Sequence, residues 1–178
     1  MVKLEELKNI TQQGTRFIEK QKGVKEVEVF ASANTLNILR IAFSSNVPSN
    51  GVEEAKTLHD FGLSVRVLFS DGKIGFGKQN SSITMDAVKN AFAKAQKNAV
   101  KDNDFKSLPE PSKKKIQKCE FDKKIQELDE VKAVDKAYDA LSGAINFLEK
   151  KNFDKNTNIT GEIDFLSEKI SVTNSNGV

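Results

Sequence analysis

The sequence predicts a two-layer α+β domain: a mostly antiparallel sheet of five to seven strands with helices packed mainly on one face. Three observations predict it. Apolar residues alternate with polar ones through much of residues 24–79, the mark of half-buried strands. Asp71-Gly72 stands between two such runs as a hairpin turn signal. Two later segments carry apolar residues at helical spacing, 84–100 and 127–150.

Residues 3–21 read as a helix, with Leu4, Leu7, Ile10, Phe17 and Ile18 near one stripe. Gly14 interrupts that stripe and marks close packing, and Gly23 ends the helix. Residues 24–33 read as a strand, with Val27, Val29 and Ala31 inward. Asn34-Thr35 reads as a turn into a second strand over 36–44, apolar on both faces. Asn46–Gly51 is a loop holding Pro48. Residues 52–60 have a helix-like composition and fit no single reading.

The hairpin over 62–79 is predicted around a two-residue type I′ loop at Asp71-Gly72. That register sets Phe69 against Ile74 and Val67 against Phe76. On the other face Leu68 meets Gly75 and Arg66 meets Gly77, leaving the backbone open to close approach. The next helix, Thr84 to Val100, has Val88, Ala91, Phe92, Ala95 and Ala99 on one side and Thr84 as its N-cap. Residues 100–125 form a basic connector with Pro109 and Pro111. The helix at 127–150 spaces Val131, Val134, Tyr138, Leu141, Ile145 and Leu148 as a single stripe, fit either to pack on the sheet or to form a dimer seam. A last hairpin is read at 157–166 and 169–174.

Composition bounds the function. A chain of 178 residues holds one domain with a sizeable core. Its one cysteine, Cys119, excludes an internal disulfide and reads as an ordinary thiol. No apolar stretch reaches membrane-spanning length and the N-terminus has no signal-peptide pattern, so a cytoplasmic protein with no membrane partner is expected. The net charge of +3 arises in residues 101–124, where eight lysines face five acidic residues. Lys113-Lys114-Lys115 lacks interleaved aromatics, which disfavours nucleic acid as a partner.

A catalytic zinc takes three protein ligands, and the single histidine, His59, has no second ligand at helical or turn spacing. Gly62-Leu63-Ser64-Val65-Arg66 misses the G-x-S-x-G elbow at its fifth position. Gly72–Gly77 lacks the third glycine of a dinucleotide fingerprint. No catalytic, cofactor-binding or metal-binding residue is therefore assigned. Arg66 is the residue singled out. It either binds a carboxylate or carbonyl of a peptide laid along the sheet, or pairs with an acidic residue on a neighbouring strand.

The ordered series Gly62, Val65-Arg66-Val67, Asp71-Gly72-Lys73, Gly75-Phe76, Gln79-Asn80, then an Ala-rich helix, resembles the N-terminal domain of the TldD/PmbA family, also called modulators of DNA gyrase. Asp104–Pro109 is similar to that family's D-x-x-x-x-L-P segment, and Asn174-Ser175-Asn176-Gly177 to its N-S-x-G segment. The resemblance implies an edge strand at 52–60. It also implies that residues 1–178 are a single N-terminal domain whose C-terminal metallopeptidase-like domain, with zinc on an H-E-x-x-x-H-type helix, is absent from this chain. The parent would be a zinc-dependent peptidase or its metal-free partner subunit. This domain, non-catalytic, would help build a homo- or heterodimer and the cleft admitting unfolded peptide. Arg66, Gly75, Phe76, Gly77 and Asn80 are the candidate peptide or interface residues. The alternative is a stand-alone binding or scaffold module without peptidase activity.

Overall fold

The computed structural model describes residues 2–45, 47, 51–112, 122–152 and 156–178. In chain order these form α1 (Leu4–Glu19), β1 (Val24–Ser44), β2 (Gly51–Phe69), β3 (Lys73–Gln79), α2 (Met85–Lys97), β4 (Val100–Lys101), α3 (Lys123–Gln126), α4 (Glu130–Lys150) and β5 (Asn158–Asn174). The strands make one open sheet in the order β4-β3-β2-β1-β5. The α+β, two-layer expectation holds, at five strands. The chain divides into two compact units. One comprises Met1–Asn34, Asp60–Lys118 and Glu168–Val178; the other comprises Thr35–His59 and Cys119–Ser167.

Among the described residues five strands replace a possible seven, because three expected breaks, at 34–35, 61 and 167–168, are not breaks, and Val100-Lys101 adds a short strand. Asn34-Thr35 is not a turn: β1 runs through it for 21 residues. Its polar residues are used across the strand pair instead. Thr35 Oγ1 lies 3.2 Å from His59 Nδ1, and Thr57 Oγ1 donates to Asn37 Oδ1 at 2.8 Å. Glu28 faces Arg66 and Arg40 faces Glu54 in the same antiparallel step, so the register between β1 and β2 does not slip. Residues 52–60 are accordingly strand, settling the ambiguity there. They extend beyond the last β3 partner, Leu63↔Gln79. Likewise 157–166 and 169–174 are one strand and not a hairpin. No residue from 166 to 169 has positive φ, and exposure alternates without interruption from Glu162 to Thr173.

The β2–β3 hairpin is shifted by one residue from the expected register. Leu68 pairs with Ile74, Val67 with Gly75, Arg66 with Phe76 and Val65 with Gly77. A type I′ loop needs positive φ at both central residues. Only Gly72 has it, at +80°, so the loop holds three residues, Ser70 to Gly72. Gly72 N donates to Phe69 O at 3.0 Å and Lys73 N to Asp71 Oδ1 at 3.1 Å. The slip exchanges the faces, because strand side chains alternate. Gly75 and Gly77 share the buried face of Val65 and Val67, while Arg66 shares the other with Phe76.

In the first unit the core joins Ile18 of α1, Val27 and Val29 of β1, Leu63, Val65 and Val67 of β2, and Ala87, Val88, Ala91, Phe92 and Ala95 of α2. Full burial of each Val or Leu there contributes about 1.5–3 kcal/mol. Gly14 packs against α2, since a Cβ there would stand 3.1 Å from Val88 Cγ1. Helix α2 stops at Lys97, three residues short of expectation, and Val100-Lys101 joins the sheet beside Lys73-Ile74. In the second unit α4 lies on the sheet through Ala133 and Ala137, against Leu39 with Val52, Ile163 and Phe165 alongside. The expected stripe divides: Leu141 is buried, Val134 half-buried, and Val131 and Tyr138 exposed.

Candidate functional site

The residues singled out from sequence lie around β3 of the first unit. Arg66 projects from β2 and its Nη2 donates to Glu28 Oε1 at 2.8 Å, the ion pair with a neighbouring strand that was one of its two readings. Its guanidinium also lies 5.8 Å from the centroid of the Phe105 ring, within cation–π range. The Arg66 Nε is buried without a hydrogen-bond partner. Phe76, opposite Arg66, is 54% exposed. Asn80 is exposed just past the end of β3. Nearby, Lys94 Nζ reaches across from α2 to Lys78 O at 3.0 Å and Gln79 Oε1 at 2.9 Å.

Gly75 and Gly77 lie on the opposite face of the sheet from Arg66 and Phe76. A Cβ on Gly75 would collide with Ala95 O, and one on Gly77 with Ala91 O. Helix α2 therefore occupies the space that the two glycines leave open. Sequence reasoning gave the glycines their correct physical meaning, close approach of a backbone, and paired them with the wrong face.

A second polar cluster was not read as a unit from sequence. Glu26 projects from β1 on the same side as Glu28 and accepts Leu108 N at 2.6 Å. Asn176 Nδ2 donates to Leu108 O at 3.0 Å, and Asn174 Nδ2 to Pro109 O at 2.8 Å. The two motif segments of the sequence, Asp104–Pro109 and Asn174–Gly177, thus meet over one carboxylate. Their ordered spacing was legible; that they touch was not.

Each unit also carries a groove. One of about 650 Å³ lies between α1 and β5, bordered by Leu4, Gln12, Arg16, Ile170 and Val172. Ser171 and Thr173 line it, and the buried Thr11 Oγ1 is 3.0 Å from both of their hydroxyls. The other, about 660 Å³, is bordered by Phe43, Val52 and Tyr138, with the Tyr138 ring over Gly51.

Three exposed groups among the described residues are shifted by their neighbours. The hydrogen bond from Lys73 holds Asp71 below the usual carboxylate range. The Lys132 backbone N–H does the same for Asp129, and Asp139 raises Lys136. All three are surface pairs. Among the described residues no group of three or more His, Cys, Asp or Glu could hold a metal ion. They do not fit a zinc centre. His59 is exposed on β2 with Thr35 as its partner. Cys119 and Lys113–Lys115 lie outside the described residues. Among the described residues no helix is long and apolar enough to cross a membrane.

Comparison with known proteins adds three findings. Residues 46–99 match the family model described as PmbA/TldA metallopeptidase domain 1. The fold is similar to TldE from Thermococcus kodakarensis, with TM-score 0.61 and 22% identity over 97% of this chain. It is similar also to a Thermotoga maritima protein described as a candidate modulator of a DNA gyrase, with TM-score 0.58 and 15% identity over 96% of this chain. This chain covers 35% of the length of each. Among curated protein sequences none matches.

Proposed function

For a chain that carries an N-terminal domain of TldD/PmbA type, we propose the role of a non-catalytic module in a peptidase subunit. The observation that carries this is the family match over residues 46–99, joined to a shared fold across nearly all of the chain. In this reading the domain supplies shape and contact surface, toward a second subunit and toward the cleft through which unfolded peptide passes. A domain outside these residues, or a partner subunit, supplies zinc and hydrolysis, in the cytoplasm.

The exposed face that suits contact is that of Phe76 and Asn80, with Arg66 beneath. A phenylalanine more than half exposed on a strand, beside a guanidinium already stacked on a ring, is suited to an apolar or aromatic side chain of a partner or peptide. Gly75 and Gly77 serve that face indirectly, by seating α2 behind it.

The test is elemental analysis of the purified chain together with hydrolysis assays on unstructured oligopeptides. No stoichiometric zinc and no turnover are expected; zinc bound one-to-one with turnover would overturn the reading. Sedimentation of the chain with and without Phe76→Ser addresses the contact surface. Loss of association with unchanged thermal stability is expected, and association indifferent to the substitution places the surface elsewhere.

A further inference from the structure

We propose that residues 104–110 form a strap over the sheet and residues 174–178 its latch, so that the two segments close and open as one unit. The inference rests on contacts within the first unit and stands apart from the functional reading above.

The strap is held chiefly by side chains that are not its own. Leu108 is 1% exposed, and both its backbone groups are spoken for: its N–H by Glu26, its C=O by Asn176. The next carbonyl, that of Pro109, accepts from Asn174. The Phe105 ring stands over Arg66 at the strap's other end. The latch is in turn organised by one buried residue. Asn174 Oδ1 accepts from Asn176 N at 2.9 Å and Val178 N at 3.0 Å, while Asn174 N donates to Val178 O. Gly177, at φ +94°, makes that turn possible, and Ser175 ties it to Val27 through N–H to O and N–H to Oγ bonds.

Two segments 65 or more residues apart therefore share their polar partners. Withdrawing the latch alone would strand the Leu108 and Pro109 carbonyls, and lifting the strap alone would strand the amides of Asn174 and Asn176. Buried polar groups left without partners are costly, so partial opening is disfavoured relative to joint opening. Small cooperative units of this kind open below the global unfolding free energy. When this one opens it uncovers the Glu26 carboxylate and lifts the Phe105 ring from the partly exposed Arg66 guanidinium. The strap is thus a cover over a charged strip of the sheet, with its release set by the 174–178 turn.

Amide hydrogen exchange on the full chain tests it from both ends. Asn176→Ala removes latch contacts to Leu108 and Glu26 while leaving the Asn174 turn. Exchange in 104–110 and in 174–178 is expected to accelerate together, by roughly tenfold or more, while α1 and α2 keep their protection. Leu108→Ala weakens the strap and is expected to accelerate the 174–178 amides in return. Wild-type exchange in the segment not mutated, in either variant, would overturn the proposal.

Discussion

The two units seat a helix on a sheet by different means. In the first, room for close approach is made on both partners, where Gly75 and Gly77 of β3 lie under the α2 backbone at Ala91 and Ala95. In the second it is made on the helix, where Ala133 and Ala137 of α4 meet Leu39 and its neighbours. The outcomes differ. Helix α2 keeps Val88 and Phe92 for the core and buries five of its 13 residues. Helix α4 gives its contact positions to alanines, buries three of 21, and leaves Val131, Tyr138 and Phe147 exposed. Strand glycines under helix alanines bring α2 close while Val88 and Phe92 on the same helix still reach the core. Small residues on the helix alone achieve approach at the cost of burial, and leave it apolar surface for other uses.

The sharpest way to break this contrast is to remove strand room. Gly77→Val would drive a side chain into Ala91 O and Ala95 N, backbone atoms with nowhere to go. Overpacking against backbone lies at the severe end of core substitutions, about 4 kcal/mol or more. Loss of the folded state, or a collapse of the urea midpoint, is the expected result. A stable Gly77→Val protein would show that α2 does not need the glycine.

The corresponding change in the second unit is milder. Leu39 is 1% exposed and sits under the two alanines. Leu39→Ala is expected to cost about 2–4 kcal/mol, with partial relief if α4 settles inward. Circular dichroism through a urea titration reads it. Where the units unfold separately, the loss falls on one transition and leaves the other in place.

How much of this was legible in the sequence follows from what each residue type can signal. Helices α1, α2 and α4 were legible because their apolar spacing persists for many turns, and the α2 cap because threonine before Met-Asp has one obvious use. The α+β class and the resemblance to the TldD/PmbA N-terminal domain were legible too. The strand breaks were misread because Asn34, Thr35 and Ser167 are turn-prone in isolation, yet here they lie in strands whose partners fix them. The register slip turned on a single dihedral: Asp71 keeps an ordinary φ, so Asp-Gly closes a three-residue loop. That one residue moved Gly75 and Gly77 from the face of Arg66 to the core. Arg66 itself was narrowed to two kinds of partner, and it holds one of them, an acidic residue of a neighbouring strand, which is Glu28. The meeting of Glu26, Leu108 and Asn176 lies beyond sequence patterning, since nothing local records contacts across such separations.

The helix caps sharpen the comparison at smaller scale. Thr84 Oγ1 accepts Ala87 N at 3.2 Å at the start of α2. Thr84→Ala is expected to cost about 1 kcal/mol, read as a drop of several degrees in melting temperature. Thr84→Asn, which caps equally well, is expected to restore it. Failure of the asparagine variant to recover stability would mean that α2 is held by the strand glycines alone.

The smallest effect is a difference in response to acid. Asp71 serves the hairpin of the first unit and Asp129 caps α4 in the second, and both carboxyls are held below the usual range, chiefly by hydrogen bonds from Lys73 and Lys132. A folded-state pKa below the unfolded one means that the unfolded chain takes up protons first. The stabilisation is complete above the usual carboxylate range and is lost as pH falls through the lowered folded values. Both groups are fully exposed, so the contribution is small and further reduced by salt. Asp129→Asn keeps a side-chain oxygen for the Lys132 N–H but cannot titrate. That variant is expected to retain α4 helicity at neutral pH and to flatten its acid dependence. Asp71→Asn does the same for the hairpin and leaves α4 unaffected. Helicity followed from pH 7 to pH 2 distinguishes them: an acid response unchanged in Asp129→Asn would assign the loss of α4 to carboxylates elsewhere, and a response altered by Asp71→Asn would show that the hairpin and α4 do not titrate independently.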